Sequence, residues 1–240
     1  MLIKIFLIIP NIFLKKYYHY FRYFIERYLL GTKLQNIIWK YRHYYDSNYR
    51  KYNHVRSDVS GDMLLETIAS YKSVNSFLDA GCGLGTNLKF IRNKFPNISL
   101  YGVDINKNFI ENVRNEFNDM NDKSISLYNC SIDNMHYLGT NSIDIVLTDA
   151  VLMYIAPDQI EKVLMELKRV SKKGIILIEY NLPDGSEYLY KGGRWIYNYN
   201  FYLNKLFSDF SLKSKSCERG NHLDDWNIYG KLIRVEFLKE

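Results

Sequence analysis

Cysteine is scarce in this chain, and its placement excludes more than its number does. Three cysteines, Cys82, Cys130 and Cys217, stand far apart and odd in count across 240 residues. That pattern argues against a disulfide framework and a cysteine-based metal site, and it suits a reducing, cytoplasmic compartment. Long apolar runs are missing as well. The uncharged stretch Ile5-Phe6-Leu7-Ile8-Ile9-Pro10-Asn11-Ile12-Phe13-Leu14 is too short for a bilayer, which needs about 20 residues. No small-residue cleavage site follows it; Lys15-Lys16-Tyr17-Tyr18 does, against a secretory leader. There is no RGG run, no zinc-finger spacing, no dense Lys/Arg block and no internal repeat. The formal charge of +6 is spread thinly and selects neither nucleic acid, membrane nor acidic substrate.

What the chain does have is a core. Hydrophobic residues make up 47% of it, and the length suits one α/β domain with an extension. The informative stretch is Ser76 to Asn87, in which the apolar run Phe77-Leu78-Asp79-Ala80 passes into Gly81-Cys82-Gly83-Leu84-Gly85 and then Thr86-Asn87. A strand, a glycine turn and a helix N-terminus make a cradle for a nucleotide cofactor, because the backbone must turn sharply and let the ligand approach. The dinucleotide fingerprint G-x-G-x-x-G is not met, since Thr86 occupies the third glycine position. A second apolar strand, Ile98 to Asp104, ends in an acid about 20 residues further on, where a carboxylate can accept hydrogen bonds from ribose hydroxyls. Cys82, inside the turn, reads as a small packing residue.

The remaining pattern alternates strand and helix, which predicts an α/β sheet. Helix is expected over Asp62–Tyr71, Thr86–Phe95, Asn108–Phe117 and from Pro157 to about Ser171; strand is expected over Ser124–Cys130, Ile143–Asp149 and Gly174–Tyr180. Phe210–Cys217 and Asn227–Leu238 alternate in the manner of a closing antiparallel pair.

The arrangement Asp79-x-Gly81-x-Gly83-x-Gly85 resembles motif I of the class I S-adenosylmethionine (SAM) dependent methyltransferases. Ser142-Ile143-Asp144-Ile145-Val146 and Val151-Leu152-Met153-Tyr154-Ile155 resemble the fourth strand of that superfamily and the segment after it. Several details, among them Gly85-Thr86-Asn87-Leu88, Ile178-Glu179-Tyr180-Asn181 and Tyr188-x-Tyr190-Lys191-Gly192, are similar to methylases associated with pseudaminic acid biosynthesis. The resemblance implies a Rossmann-like seven-stranded, mostly parallel sheet with helices on both faces, spanning residues 57–240 behind an N-terminal helical extension, 1–56. It implies SAM as cofactor, bound by Asp79, Gly81, Gly83, Asn87, Asp104 and Ile105, with Ser131 and Ile132 near the adenine and Asp149 under the methionine end. Candidates on the acceptor side are Asp149, Tyr154, Glu179, Tyr180 and His222. No metal-ligand cluster stands in the sequence. The Asn-Pro-Pro-Tyr motif of amino-methylating DNA enzymes is absent, Thr148-Asp149-Ala150-Val151 standing in its place, which disfavours nucleic acid. The expected activity is methyl transfer to a small molecule or a glycan or sugar-nucleotide building block. Its rivals are a membrane-associated lipid or isoprenoid methyltransferase and a non-catalytic SAM- or partner-binding module.

The extension separates these rivals. Phe13, Tyr17, Tyr20, Phe24 and Tyr28 form one helical stripe; Leu14, Tyr18, Phe21, Ile25 and Leu29 form a second beside it; Lys15, His19, Arg22 and Glu26 fall opposite. Such a helix either packs on the catalytic domain or lies in a membrane interface through residues 1–30. The interleaved aromatic and basic residues of Asn36–Arg56 could suit nucleic acid; the resemblance implies instead that the segment forms part of a lid over the substrate.

Overall fold

A computed structural model of the chain describes residues 32–41, 59–183, 185–217 and 224–238. In chain order the elements are α1 (Thr32–Tyr41), α2 (Val59–Ala69), β1 (Ser76–Ala80), α3 (Thr86–Lys94), β2 (Ser99–Asp104), α4 (Lys107–Asp119), β3 (Ile125–Asn129) and β4 (Ile143–Asp149). A short 3₁₀ turn (Leu152–Tyr154) leads to α5 (Ile160–Val170), β5 (Ser171–Tyr180), β6 (Tyr188–Lys191), β7 (Arg194–Tyr197), α6 (Tyr199–Leu206), β8 (Phe210–Ser216), α7 (Asp224–Tyr229) and β9 (Gly230–Phe237). Seven strands form one sheet in the order β3-β2-β1-β4-β5-β9-β8. β1 to β5 run parallel, and β9 is antiparallel to both of its neighbours. The expected fold class is the one observed. β6 and β7 pair with each other in a separate ribbon.

The sheet is doubly covered, which is why its central strands read as nearly continuous apolar runs. Alternate residues face opposite layers. Val146, Ile175 and Leu177 pack with Val163, Leu164 and Leu167 of α5 and with Trp195, Tyr197 and Tyr202. Ile145, Leu147, Ile176 and Ile178 pack on the other side with Leu64 and Ile68 of α2, Leu88 and Ile91 of α3, and Val113 and Phe117 of α4. Burying a side chain of this size stabilises by about 1.5–3 kcal/mol.

Four boundaries depart from the sequence expectation, among them β5, which starts at Ser171 rather than Gly174. The first core helix begins at Val59 rather than Asp62. Pro157 does not open a helix: the Gln159 N–H donates to the Ala156 carbonyl in a turn, and α5 starts at Ile160. Residues 227–229 belong to α7, so the last strand starts at Gly230, not Asn227. Gly230 fixes that junction, because a Cβ there would lie 2.4 Å from the carbonyl oxygens of both Cys217 and Trp226. The aromatic stripe before residue 31, residues 42–56 and His222 lie outside the described residues. Among the described residues no helix is long and apolar enough to cross a membrane.

Candidate cofactor and acceptor site

In a sheet of five parallel strands every βα turn after β1 to β5 opens at the same edge, and ligands bind there. The glycine turn after β1 is held against β2: the N–H groups of Gly81 and Cys82 both donate to the Val103 carbonyl, at 2.7 and 2.9 Å. Gly81 has φ +86°, and a Cβ would meet the Val151 side chain at 2.6 Å. Gly85 has φ +70° and precedes α3 in a left-handed conformation. Both positions therefore require glycine. Asp79 is buried at the end of β1.

Asp104 ends β2 and its carboxylate is pinned from two sides. The Gly83 N–H donates to Oδ2 at 2.9 Å and the Asn106 N–H to Oδ1 at 2.8 Å. Burial raises its pKa to about 6, with the two backbone donors working against that shift. Ile105 lies between Asp104 and Asn106, whose side chain caps α4 by accepting from the Asn108 and Phe109 N–H groups. After β3, Ile132 is buried and Ser131 hydrogen-bonds Asp133, itself ion-paired to Lys162 at 2.6 Å. The Asn87 side-chain amide donates to Asp149 Oδ2 at 3.2 Å, tying the start of α3 to the end of β4. The fold thus brings Asp79, Gly81, Gly83, Asn87, Asp104, Ile105, Ser131, Ile132 and Asp149 to one edge. Cys82 is buried beside Asp79 and Asp104. Desolvation first, then those two charges, holds its thiol protonated, unfit for a nucleophile.

The candidates after β4 and β5 divide in two. Tyr154 is partly exposed in the 3₁₀ turn, its ring 4.6 Å from that of Trp39 in an edge-on contact. Tyr180 is buried, edge-on to Trp226 at 4.7 Å. Glu179 is fully buried and turned inward: its Oε1 accepts from the Val151 and Leu152 N–H groups at 2.9 and 3.1 Å. Desolvation raises its pKa to about 7; the two amides and the Thr148 hydroxyl oppose that rise and the Asp149 charge adds to it. This geometry holds the post-β4 loop rather than presenting an acid to a substrate. The described part of the extension reaches the same edge, since the Asn106 side-chain amide donates to the Trp39 carbonyl at 3.0 Å.

A family model described as a methyltransferase domain matches residues 77–174. The chain superimposes on magnesium protoporphyrin IX methyltransferase from Synechocystis PCC 6803, solved with bound SAM, with a TM-score of 0.61 over 89% of this chain and 100% of that one at 14% identity. A SAM-dependent methyltransferase from Aquifex aeolicus gives 0.56 over 75% and 90% at 15% identity. Residues 77–174 thus match a methyltransferase domain, on a fold shared with SAM-dependent methyltransferases. Among curated proteins it is 26% identical over 152 residues to a tRNA N(3)-cytidine methyltransferase of Mus musculus, covering 61% of this chain and 38% of that protein. A tRNA N(3)-cytidine methyltransferase of Homo sapiens is 28% identical over 136 residues, 54% of this chain and 47% of the relative. The chain thus spans less than half the length of the curated relatives it matches.

The residues at this edge fit SAM on one observation. Asp104 is a half-buried carboxylate held in place by its two backbone donors, a pre-positioned acceptor of the kind vicinal hydroxyls would need.

One residue of the site was missed from the sequence. Arg194 opens β7 and sets its guanidinium beside Tyr154 and 6.0 Å from the centre of the Tyr180 ring. Burial works against its charge, and the Tyr154 and Tyr180 phenols and Asp225 more than offset it, so its pKa is raised. The signal was present. Gly192-Gly193 between the alternating Tyr188-x-Tyr190 and Trp195-x-Tyr197 is a two-residue hairpin pattern, and both glycines have positive φ, +58° and +83°.

Proposed function

We propose that this chain transfers a methyl group from SAM to a small-molecule acceptor, a glycan or sugar-nucleotide building block, at a hydroxyl or amine. The observation that carries the reading is the convergence, at one sheet edge, of the pinned Asp104 carboxylate with the aromatic groups Tyr154, Tyr180 and Trp39. SAM supplies an electrophilic methyl on a sulfonium, so catalysis is largely a matter of in-line positioning and exclusion of water. In this reading Asp104 holds the ribose and the Gly81–Gly85 turn admits the backbone-facing side of the cofactor. Ser131 and Ile132 border the adenine, and Asn87 orients Asp149 at the methionine end. Tyr154 and Tyr180 border the acceptor. A general base is needed only for a hydroxyl or a protonated amine, and Asp149 is the carboxylate placed nearest that task. Glu179 acts as a positioning residue through Val151 and Leu152. The segment Asn36–Arg56 works as part of a lid, for which the Trp39 contacts with Tyr154 and Asn106 are the support.

The curated relatives favour a second reading, in which the acceptor is a tRNA base. Labelled-methyl transfer from SAM to sugar nucleotides and, separately, to unmodified tRNA separates the two; incorporation into tRNA alone would displace the glycan reading. The cofactor assignment is tested first, by calorimetric titration with SAM and S-adenosylhomocysteine. Hydrogen bonds to a charged group are worth about 1.5–3 kcal/mol each, and about 1.4 kcal/mol is a decade of affinity. Two ribose bonds lost in Asp104→Ala should therefore weaken binding about 100-fold or more. Unchanged affinity in that variant would refute the ribose role.

A further inference from the structure

The hairpin β6–β7 carries two cations in register, Lys191 and Arg194. They differ in one respect. Lys191 is neutralised by Asp225 at 2.8 Å. Arg194 has no carboxylate within ion-pairing distance among the described residues and, the Tyr154 phenol apart, no hydrogen-bond acceptor among them. Asp225 acts on Arg194 only as a more distant charge. A half-buried guanidinium is costly to leave so, because its five donors are in a fixed fork and most of them lack partners. Its surroundings are aromatic: Tyr154 under Trp39, and Tyr180 on Trp226. Such walls displace water and strengthen whatever charge interaction the site makes. The position matters as much as the charge, since Tyr154 follows β4 and Tyr180 ends β5, the two strands at whose ends the methyl acceptor is expected.

We propose that Arg194 receives an anionic group of the methyl acceptor, a carboxylate or a phosphate, through its free donors. This rests on the methyltransferase reading and adds the acceptor's chemical class to it. The planar fork matches either oxyanion in a two-bond arrangement that a lysine cannot reproduce. The anion would anchor the acceptor from the hairpin side and leave the reacting hydroxyl or amine toward Asp149.

The test uses the full chain saturated with S-adenosylhomocysteine. Two of the three tryptophans report on the site: Trp39 touches Tyr154 and Trp226 touches Tyr180. Tryptophan fluorescence is titrated with inorganic phosphate and, separately, with acetate, chloride replacing each at constant ionic strength. The expected result is a saturable change with one or both anions that is about 10- to 100-fold weaker in Arg194→Gln, the range for loss of one to two charge-assisted bonds. Arg194→Lys should recover only part of it, and Lys191→Gln should titrate as the unaltered chain does. The anion that saturates at lower concentration tells phosphate from carboxylate. A response identical in Arg194→Gln, or no saturable response in the unaltered chain, overturns the proposal. Failure of the methyltransferase reading looks different, because S-adenosylhomocysteine itself would then not bind the folded chain. Its calorimetric affinity in Arg194→Gln also shows whether that variant is folded.

Discussion

Asp104, half-buried, and Glu179, fully buried, are carboxylates whose pKa values are raised by desolvation to about 6 and about 7, and they give the cofactor-free chain a definite pH response. A carboxyl whose folded pKa lies above its unfolded value binds its proton more tightly in the folded state. Its contribution to stability is therefore complete below the unfolded pKa and is lost as pH rises through the folded one. Denaturant unfolding of the cofactor-free chain should show stability falling from about pH 4 to about pH 7. Glu179→Gln should flatten the upper part of that fall, by at most about 3 kcal/mol. Cofactor affinity runs the other way. The charged form of Asp104 is the better acceptor for ribose hydroxyls, so S-adenosylhomocysteine should bind more tightly as pH rises through about 6, and calorimetry at several pH values checks the sign. Gly81→Ala should lower both melting temperature and cofactor affinity. A left-handed residue with a Cβ costs about 1–2 kcal/mol, and the added carbon would collide with Val151. Val151→Ala in the same chain should restore part of the loss but not the backbone cost. The glycine turn was legible because backbone geometry forces its residue type, and Asp104 because it ends an apolar strand about 20 residues further on. The inward role of Glu179 was not, because a strand-ending acid looks the same in sequence whether it meets solvent or two amides.

At the scale of elements, the parallel strands and their helices announced themselves through apolar runs and 3.6-residue periodicity. The hairpin β6–β7 and the helix α6 did not. Tyr188 to Leu206 is rich in tyrosine, which serves strand, helix and surface alike, and the twin glycines were the one sharp mark in it. A turn with positive φ at both central residues favours glycine strongly. Gly192→Ala or Gly193→Ala should each destabilise the hairpin by about 1 kcal/mol or more. Because Arg194 sits on that hairpin, the expected signature is weakened anion response with cofactor affinity unchanged; equal loss of both would mean that the hairpin supports the cofactor edge as well. The α7–β9 junction was placed three residues early in the sequence, since the alternation of 227–238 continues smoothly across it and only the close contacts of Gly230 reveal the turn.

Over the whole molecule, the topology followed from the alternation of strand and helix, and the reversed strand β9 from the weaker alternation near the C-terminus. Long-range contacts between β9 and α2 left no mark in the sequence. Gly174 of β5 faces the Val235 carbonyl and the Tyr71 ring so closely that a Cβ would lie 2.3 Å from the former and 2.6 Å from the Tyr71 hydroxyl. That hydroxyl donates to the Val235 carbonyl at 3.2 Å, and Arg234 covers the ring at 4.1 Å. Gly174→Ala should cost at least the 1–3 kcal/mol or so typical of overpacking, visible as a lowered denaturation midpoint with the slope unchanged. The ribbon of β6 and β7 stands apart from the seven-stranded sheet. Its ladder closes on itself, and it is moored by the buried Trp195 and Tyr197, the latter donating to the Ile155 carbonyl. The consequence is evolvability. With those two moorings kept, the outward positions of the ribbon can drift or be exchanged as a cassette while the seven-stranded sheet stays intact.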